Sequence, residues 1–313
     1  MTQSVPKRSL HARNLFQRIY DGRMGYLFIL PLIGGLLLLN YYPFFSGIYH
    51  SLFNWDSIGT AEFVGLANFK ELFSDPDFTS TIPILFKIMI PKLLIGIFVP
   101  LIMAEMIFAV RAPRAKKFYR VAVLLPMVAP GVVVMLLWKY IYDPSAGLLT
   151  TILRTFGIFQ PDQVINWLGD PNWVIFSIIF MGFPWIGGTS VLIYMSGLMN
   201  ISTEIVESTQ LDGANTLQRI WHIDMPLLLG QIRYFLIFGI IGNMQDYNAQ
   251  LILTNGGPGY STVVPGYYMY RKAFLANRMG YASAVGVTLF IVIMVLTFLF
   301  YRYLNNDVTG DKR

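Results

Sequence analysis

Six long apolar runs punctuate the chain, at about residues 25–46, 92–110, 121–142, 173–198, 227–252 and 281–303, with polar segments between them. A helix crosses a bilayer core with roughly 20 apolar residues, so each run predicts a transmembrane helix. An even number of crossings returns both chain ends to one side. No small-residue cleavage site follows the first run, near Tyr26, which is therefore read as a retained anchor and not a signal peptide. Pro31, Pro91, Pro100, Pro126, Pro130 and Pro184 lie in or beside the runs and predict kinks, tolerated where neighbouring helices satisfy the freed carbonyls. No tandem repeat or soluble domain interrupts the pattern. The expected organisation is one domain, with a polar tail at 1–24, a membrane region at 25–304 and a short tail at 305–313.

The largest polar interruption, Asn200 to Pro226, reads as a helical hairpin. Ser202 is placed to cap a first helix, Glu204 falls in its first turn where a carboxylate suits the helix dipole, and Asp212-Gly213 supplies the stop. Asn215 followed by Gln218 is a capping-box signature for a second helix, expected to end before Pro226. On that helix Leu217, Ile220 and Trp221 fall on one face, too apolar for a loop with nothing else to cover it. With the acidic Glu204, Glu207, Asp212 and Asp224, this predicts a docking surface.

Between the first two runs, residues 47–81 predict a short amphipathic helix from Leu66 to Phe73 and a turn at Asp75-Pro76, lying along the outer interface. Residues 143–172 predict an interfacial or re-entrant connection, with Trp167 and Trp173 in an aromatic belt. In the fourth run Gly182, Pro184, Gly187, Gly188 and Thr189 mark close packing or a broken helix. Asn255 to Gly259 is a turn. The outer half of the fifth run is unexpectedly polar, carrying Asn243, Asp246, Tyr247, Asn248 and Gln250. Counted from Pro226, Asn243 lies about 25 Å along a helix, just past the midplane. A charge there costs at least about 2.5 kcal/mol, so Asp246 is expected to face a wet cavity or a partner. Asn243, Asp246, Tyr247 and Gln250 would share one helical face. Amides and a carboxylate beside an aromatic ring suit a polyhydroxylated ligand, and equally suit hydrogen bonding to a neighbouring helix.

Composition agrees: 55% of residues are hydrophobic and 13% charged, against about 25% charged in soluble domains, and the mean hydropathy is +0.55. The absence of cysteine excludes disulfides, and His11, His50 and His222 are too scattered for a metal site. The net charge of +6 reflects topology and not nucleic-acid binding. Fourteen of the 23 Lys and Arg lie in the N-terminal tail, the 111–120 loop, the hairpin and the C-terminal tail. Lys70, Arg154, Arg271, Lys272 and Arg278 lie on the other side, while Lys87, Lys92, Lys139 and Arg233 are expected to snorkel from run ends. Both termini and the hairpin are thus expected on the cytoplasmic face. Glu105 is expected to snorkel or to pair near Arg111.

Glu207-Ser208-Thr209, then Gly213, then Ile223 and Pro226 resemble the EAA motif of the membrane subunits of binding-protein-dependent ABC importers, with Ser and Thr for its two alanines and Met225 for its leucine. FVGLANF in the first outer loop, Phe118 to Leu149, and Leu253 to Thr262 with Gly280 to Ala284 resemble the sugar-importer branch, in the first permease subunit of maltose and glycerol-phosphate systems. The resemblance implies an all-α integral membrane fold with six transmembrane helices and a cytoplasmic coupling helix hairpin, the type I ABC importer permease, in a prokaryotic inner membrane. It implies that the hairpin at 200–226 is the coupling element, with Glu207 facing a basic group, Asp212, Gly213 and Ala214 forming its central turn, Leu217 and Trp221 as apolar anchors, and Pro226 closing the motif. A second permease subunit, two ATP-binding subunits and an extracytoplasmic solute-binding protein are the implied partners, besides lipid. ATP and magnesium would reside on the ATPase subunits. This chain has no Gly-Lys pair and hence no phosphate loop, so it is expected to bind no cofactor and to be no enzyme.

Other readings stay open. The solute of such an importer is a carbohydrate, or a glycerol-phosphate ester or polyol. An ion-coupled carrier would show more spans, internal repeats and buried carboxylates than Asp246. A membrane enzyme would need a catalytic set, and no His-Glu-x-x-His or Gly-x-Ser-x-Gly pattern occurs.

Overall fold

The computed structural model describes residues 23–160 and 163–305. Both charged tails that weigh in the topology count, apart from Arg23 and Arg302, lie outside the described residues. Helices dominate. The chain opens with α1 (Arg23–His50), which passes through a π turn at Leu37–Tyr41. A two-stranded ribbon follows, β1 (Phe53–Asn54) and β2 (Glu62–Phe63), with Phe53 opposite Phe63. Then come α2 (Ala67–Ser74) and α3 (Pro76–Ala109).

The expected turn at Asp75-Pro76 is instead the start of α3. Asp75 accepts a hydrogen bond from the Asp77 N–H at 2.8 Å, and Pro76 occupies the first turn, where a missing N–H costs nothing. The second span therefore begins at Pro76 and not near 92. Its N-terminal turns are polar, which hid them from a hydropathy reading, but Thr79, Ser80 and Thr81 donate their hydroxyls to the carbonyls of Pro76, Asp77 and Phe78 at 3.1, 2.8 and 2.6 Å. At 34 residues, α3 is about 50 Å long, against a hydrocarbon core of about 30 Å.

The remaining elements are α4 (Pro113–Ala122), α5 (Gly131–Ile141), α6 (Leu148–Thr155), α7 (Val174–Phe180), α8 (Gly188–Met199), α9 (Thr203–Leu211), α10 (Thr216–Leu227), α11 (Leu229–Gln245), α12 (Pro265–Tyr270) and α13 (Met279–Asn305). Only α1, α3 and α13 among the described helices are individually long and apolar enough to cross a bilayer. The third predicted span is bent by 84° around Pro126 and Pro130, and the fifth is continuous with α10 through a 69° bend. The fourth is divided. Gly182 takes φ +92° between α7 and α8, while a Cβ on Gly188 would fall 2.4 Å from the Val123 carbonyl oxygen. Break and close packing thus both occur there.

Two cores hold the bundle. One, along the N-terminal half of α3, joins Leu72, Phe78, Leu85, Ile178, Tyr267, Tyr281 and Val285, from α2, α3, α7, α12 and α13. The other, toward the C-terminal end of α3, joins Leu101 and Ala104 of α3 with Val191, Tyr194 and Leu198 of α8 and with Leu228. The loop between α1 and α3 is clamped onto the start of α13. Asn68 donates to the carbonyls of Ser51 and Phe53, the Gly280 N–H donates to the Trp55 carbonyl, and Arg278 forks onto Glu71 at 2.6 and 2.7 Å. Asp75 accepts from the hydroxyls of Tyr268 and Tyr281 and lies 3.7 Å from Lys272. Trp167 is not the belt residue that was expected. It is buried against Tyr142 and Ile165, and its indole N–H donates to the Thr150 hydroxyl.

Candidate functional site

The hairpin forms as its local signals require. Gly213 lies at φ +75°, where a side chain is disfavoured, although a Cβ would meet nothing within 4 Å; the need is conformational. The Asn215 N–H donates to Gln218 Oε1 at 2.8 Å and the Gln218 N–H donates to Asn215 Oδ1 at 2.9 Å, a complete capping box. The second helix does not stop before Pro226. A π turn at Ile220–Asp224 sends the Met225 N–H to the Ile220 carbonyl, a new α-helical turn starts there, and Pro226 sits where no N–H is needed. The bend falls at Leu228 instead.

Leu217 is 68% exposed and Trp221 60%, whereas Ile220, expected beside them, is half-buried. Leu211, next to the turn, is also exposed. Glu207 and Asp212 are exposed and have no ion pair among the described residues. Ala214 is half-buried and Pro226 exposed. Thr209, at the motif's second alanine position, is buried and returns its hydroxyl to the Ile205 carbonyl at 2.6 Å.

Asp224, expected among the surface acids, is only 1% exposed. Its Oδ2 accepts from Arg219 Nε at 2.8 Å, and Arg219 Nη2 reaches Glu105 Oε2 of α3 at 3.4 Å. Glu105 therefore pairs with the hairpin and not with Arg111. This grouping was missed because its members lie 114 residues apart; the signal available was a carboxylate within an apolar run.

The polar stretch of the fifth span does not form one helical face. The helix stops at Gln245, and Asp246 is extended at ψ 127°. Asp246 Oδ1 accepts from the Asn248 N–H at 3.1 Å and from Asn248 Nδ2 at 2.9 Å, and its Oδ2 lies 3.6 Å from Lys92 Nζ of α3. Lys92 thus does not snorkel; it is the partner that Asp246 was expected to need. Asn243 returns its amide to the Gly239 carbonyl at 2.8 Å. Gln250 is buried, with Oε1 lacking a hydrogen-bond partner. Tyr247 alone of the five reaches the larger cavity, of about 580 Å³, which Gln245, Tyr270, Ser283, Phe44 and Phe290 also line. A second cavity of about 390 Å³ lies between Lys139, Asp143, Asn166, Thr254 and Pro258.

An aromatic column missed in the sequence runs into the break between α7 and α8. The rings of Phe176 and Phe180 stack at 5.5 Å and those of Phe180 and Phe183 at 5.2 Å, with Trp185 edge-on to both Phe180 and Phe183. Phe176 and Phe183 are exposed. Flat exposed rings offer stacking faces for apolar ligand surfaces.

Residues 96–310 match the family described as binding-protein-dependent transport system inner membrane component. The chain is 31% identical over 279 residues to the probable ABC transporter permease protein YurN of Bacillus subtilis, covering 89% of this chain and 94% of the other. It is 29% identical to the multiple sugar-binding transport system permease protein MsmF of Streptococcus mutans, over 90% of this chain and 96% of MsmF. Among solved structures, a bacterial alginate ABC transporter in complex with an alginate pentasaccharide-bound periplasmic protein shares the fold, with a TM-score of 0.81 at 24% identity, over 95% of this chain and 98% of the matched one.

Proposed function

The chain belongs to the family of binding-protein-dependent transport system inner membrane components, and from that membership we propose that it is the carbohydrate-carrying permease subunit of an ATP-driven ABC importer, forming half of the translocation pathway. The observation that carries the coupling part is the hairpin. A capped, glycine-turned element holds Leu217 and Trp221 in the open on the same hairpin as the exposed Glu207, which has no ion pair among the described residues. An exposed apolar pair on a hairpin that also exposes Glu207 and Asp212 fits a cleft with basic walls, and a stiff helix pair passes on a partner's movement as rigid-body displacement. ATP and its magnesium ion belong to two separate ATPase subunits, which this chain contacts through Glu207, Asp212, Gly213, Ala214, Leu217, Trp221 and Pro226.

The carbohydrate reading draws on the name of MsmF and on the exposed rings at the break of the fourth span. Asn243, Asp246, Tyr247, Asn248 and Gln250 lie beside that pathway. The apolar outer surface of α1 and the apolar lining of the larger cavity suit lipid and a second, related permease subunit. A solute-binding protein delivers the sugar from outside, and both termini and the hairpin face the cytoplasm. The test is ATP hydrolysis by the reconstituted complex with its binding protein, across mono- and oligosaccharides and glycerol-phosphate esters. Stimulation by one sugar class is expected. Stimulation by glycerol-phosphate esters alone would replace the carbohydrate assignment.

A further inference from the structure

We propose that Glu105 and Arg219 are positioning residues that hand the movement of the hairpin to α3, the helix that in turn holds the break in the fifth span. The inference rests on the hairpin being the ATPase-coupling element. The hairpin is continuous in the chain with α8 on one side and α11 on the other, so both follow its displacement through the backbone. α3 has no such backbone connection: it meets α8 through the apolar core around Leu101 and Ala104, and it meets the hairpin itself through the side chains of an ion cluster.

The grip is an ion cluster withdrawn from solvent. The side chains of Asp224, Glu105 and Arg219 are 1%, 7% and 15% exposed. Arg219 binds Asp224 at 2.8 Å within its own helix and Glu105 at 3.4 Å across to α3, and its guanidinium lies 5.7 Å from the centroid of Phe108, one turn further along α3. Lys116 sits over the same ring at 4.9 Å and on neither carboxylate. Glu105 Oε1 and Asp224 Oδ1 are buried without hydrogen-bond partners, so among the described residues Arg219 is the one counter-charge for both acids. Where water is excluded, such a pair is not exchanged for hydration when one side moves; its members move together.

The far end of the linkage lies on the same helix. Lys92 is thirteen residues before Glu105, about 20 Å along the axis, and holds Asp246 at 3.6 Å, where α11 stops. Next to it, a Cβ on Gly239 of α11 would fall 2.5 Å from Leu93 Cδ1, so the α3 side chain packs directly onto the α11 backbone there. A shift of α3 is therefore delivered at the polar break of the fifth span.

The experiment uses the full complex with its ATPase and binding protein in proteoliposomes, measuring sugar uptake and ATP hydrolysis together. In Glu105→Gln, hydrolysis is expected to persist while uptake per ATP falls about tenfold, a coupling loss of ordinary size. Normal uptake per ATP in this variant overturns the inference. If Gly213→Pro, run in parallel, also transports normally, it is the reading of the hairpin that fails instead. Should Glu105→Gln not assemble, Arg219→Lys, which keeps the charge but loses the planar fork, is read in the same way. The natural chain has no cysteine, which permits a second measurement. In E105C/R219C/D224N, joining the two thiols with a short bifunctional reagent is expected to restore uptake per ATP; hydrolysis without restoration overturns the proposal.

Discussion

Lys92 Nζ lies 3.6 Å from Asp246 Oδ2, joining the middle of α3 to the point where α11 ends. Both side chains are only partly exposed, at 21% and 33%, so neither charge is fully hydrated without the other. Asp246→Asn is expected to reduce uptake about tenfold, and the double variant with Lys92→Gln to be less impaired than Asp246→Asn alone, because paired removal leaves no stranded charge. Uptake assays across the double-mutant cycle check this; strictly additive losses would show that the two do not act as a pair.

At the hairpin, Gly213→Ala is expected to cost about 1 kcal/mol, since the strain comes only from the left-handed backbone, with no neighbour within 4 Å of the added carbon. Gly213→Pro and Glu207→Lys are expected to abolish substrate-stimulated hydrolysis with membrane insertion intact. Hydrolysis by the assembled complex, and detection of the subunit in membranes, decide it.

Tyr247→Ala and Asn243→Ala are expected to impair uptake and preserve assembly. Tyr247 faces the larger cavity, with its ring 5.8 Å from that of Tyr270, while Asn243 bonds only within its own helix. Loss of assembly on size-exclusion chromatography would make these packing residues.

Between α2 and the start of α13, hydrogen bonds from Arg278 hold the Glu71 carboxyl below its ordinary pKa of 4.5. A depressed value in the folded state means that the pair adds stability above the unfolded pKa, lost as pH falls through the lowered folded value. The melting difference between the natural protein and Glu71→Gln is therefore expected to be present at pH 7 and to close progressively below about pH 4.5. It will be modest, because both side chains are 40% or more exposed.

What the sequence made legible was local. The capping box of Asn215 and Gln218 and the left-handed Gly213 rest on residues three apart or on one backbone angle, and both are as expected. The need of Asp246 for a partner followed from the cost of a charge in an apolar run. The partner itself did not, because Lys92 looked like a snorkelling residue until α3 was seen to start at Pro76, which places Lys92 well inside the helix. Nor was the continuity of the hairpin through Pro226 legible, since a π turn leaves no mark in residue type. The burial of Trp167 and the pairing of Glu105 depend on chain segments far apart in sequence, beyond any periodicity.

The surplus length of α3 bears on the membranes in which the protein can work. Hydrophobic mismatch penalises a span whose polar ends are dragged into hydrocarbon or whose apolar middle is pushed into water. The hydroxyls of Thr79, Ser80 and Thr81 are already occupied by carbonyls of their own helix. Those turns can sit at the headgroup level of a thin bilayer or inside a thicker one without losing a hydrogen bond, and α3 can accommodate changes in lipid chain length while its C-terminal end stays fastened.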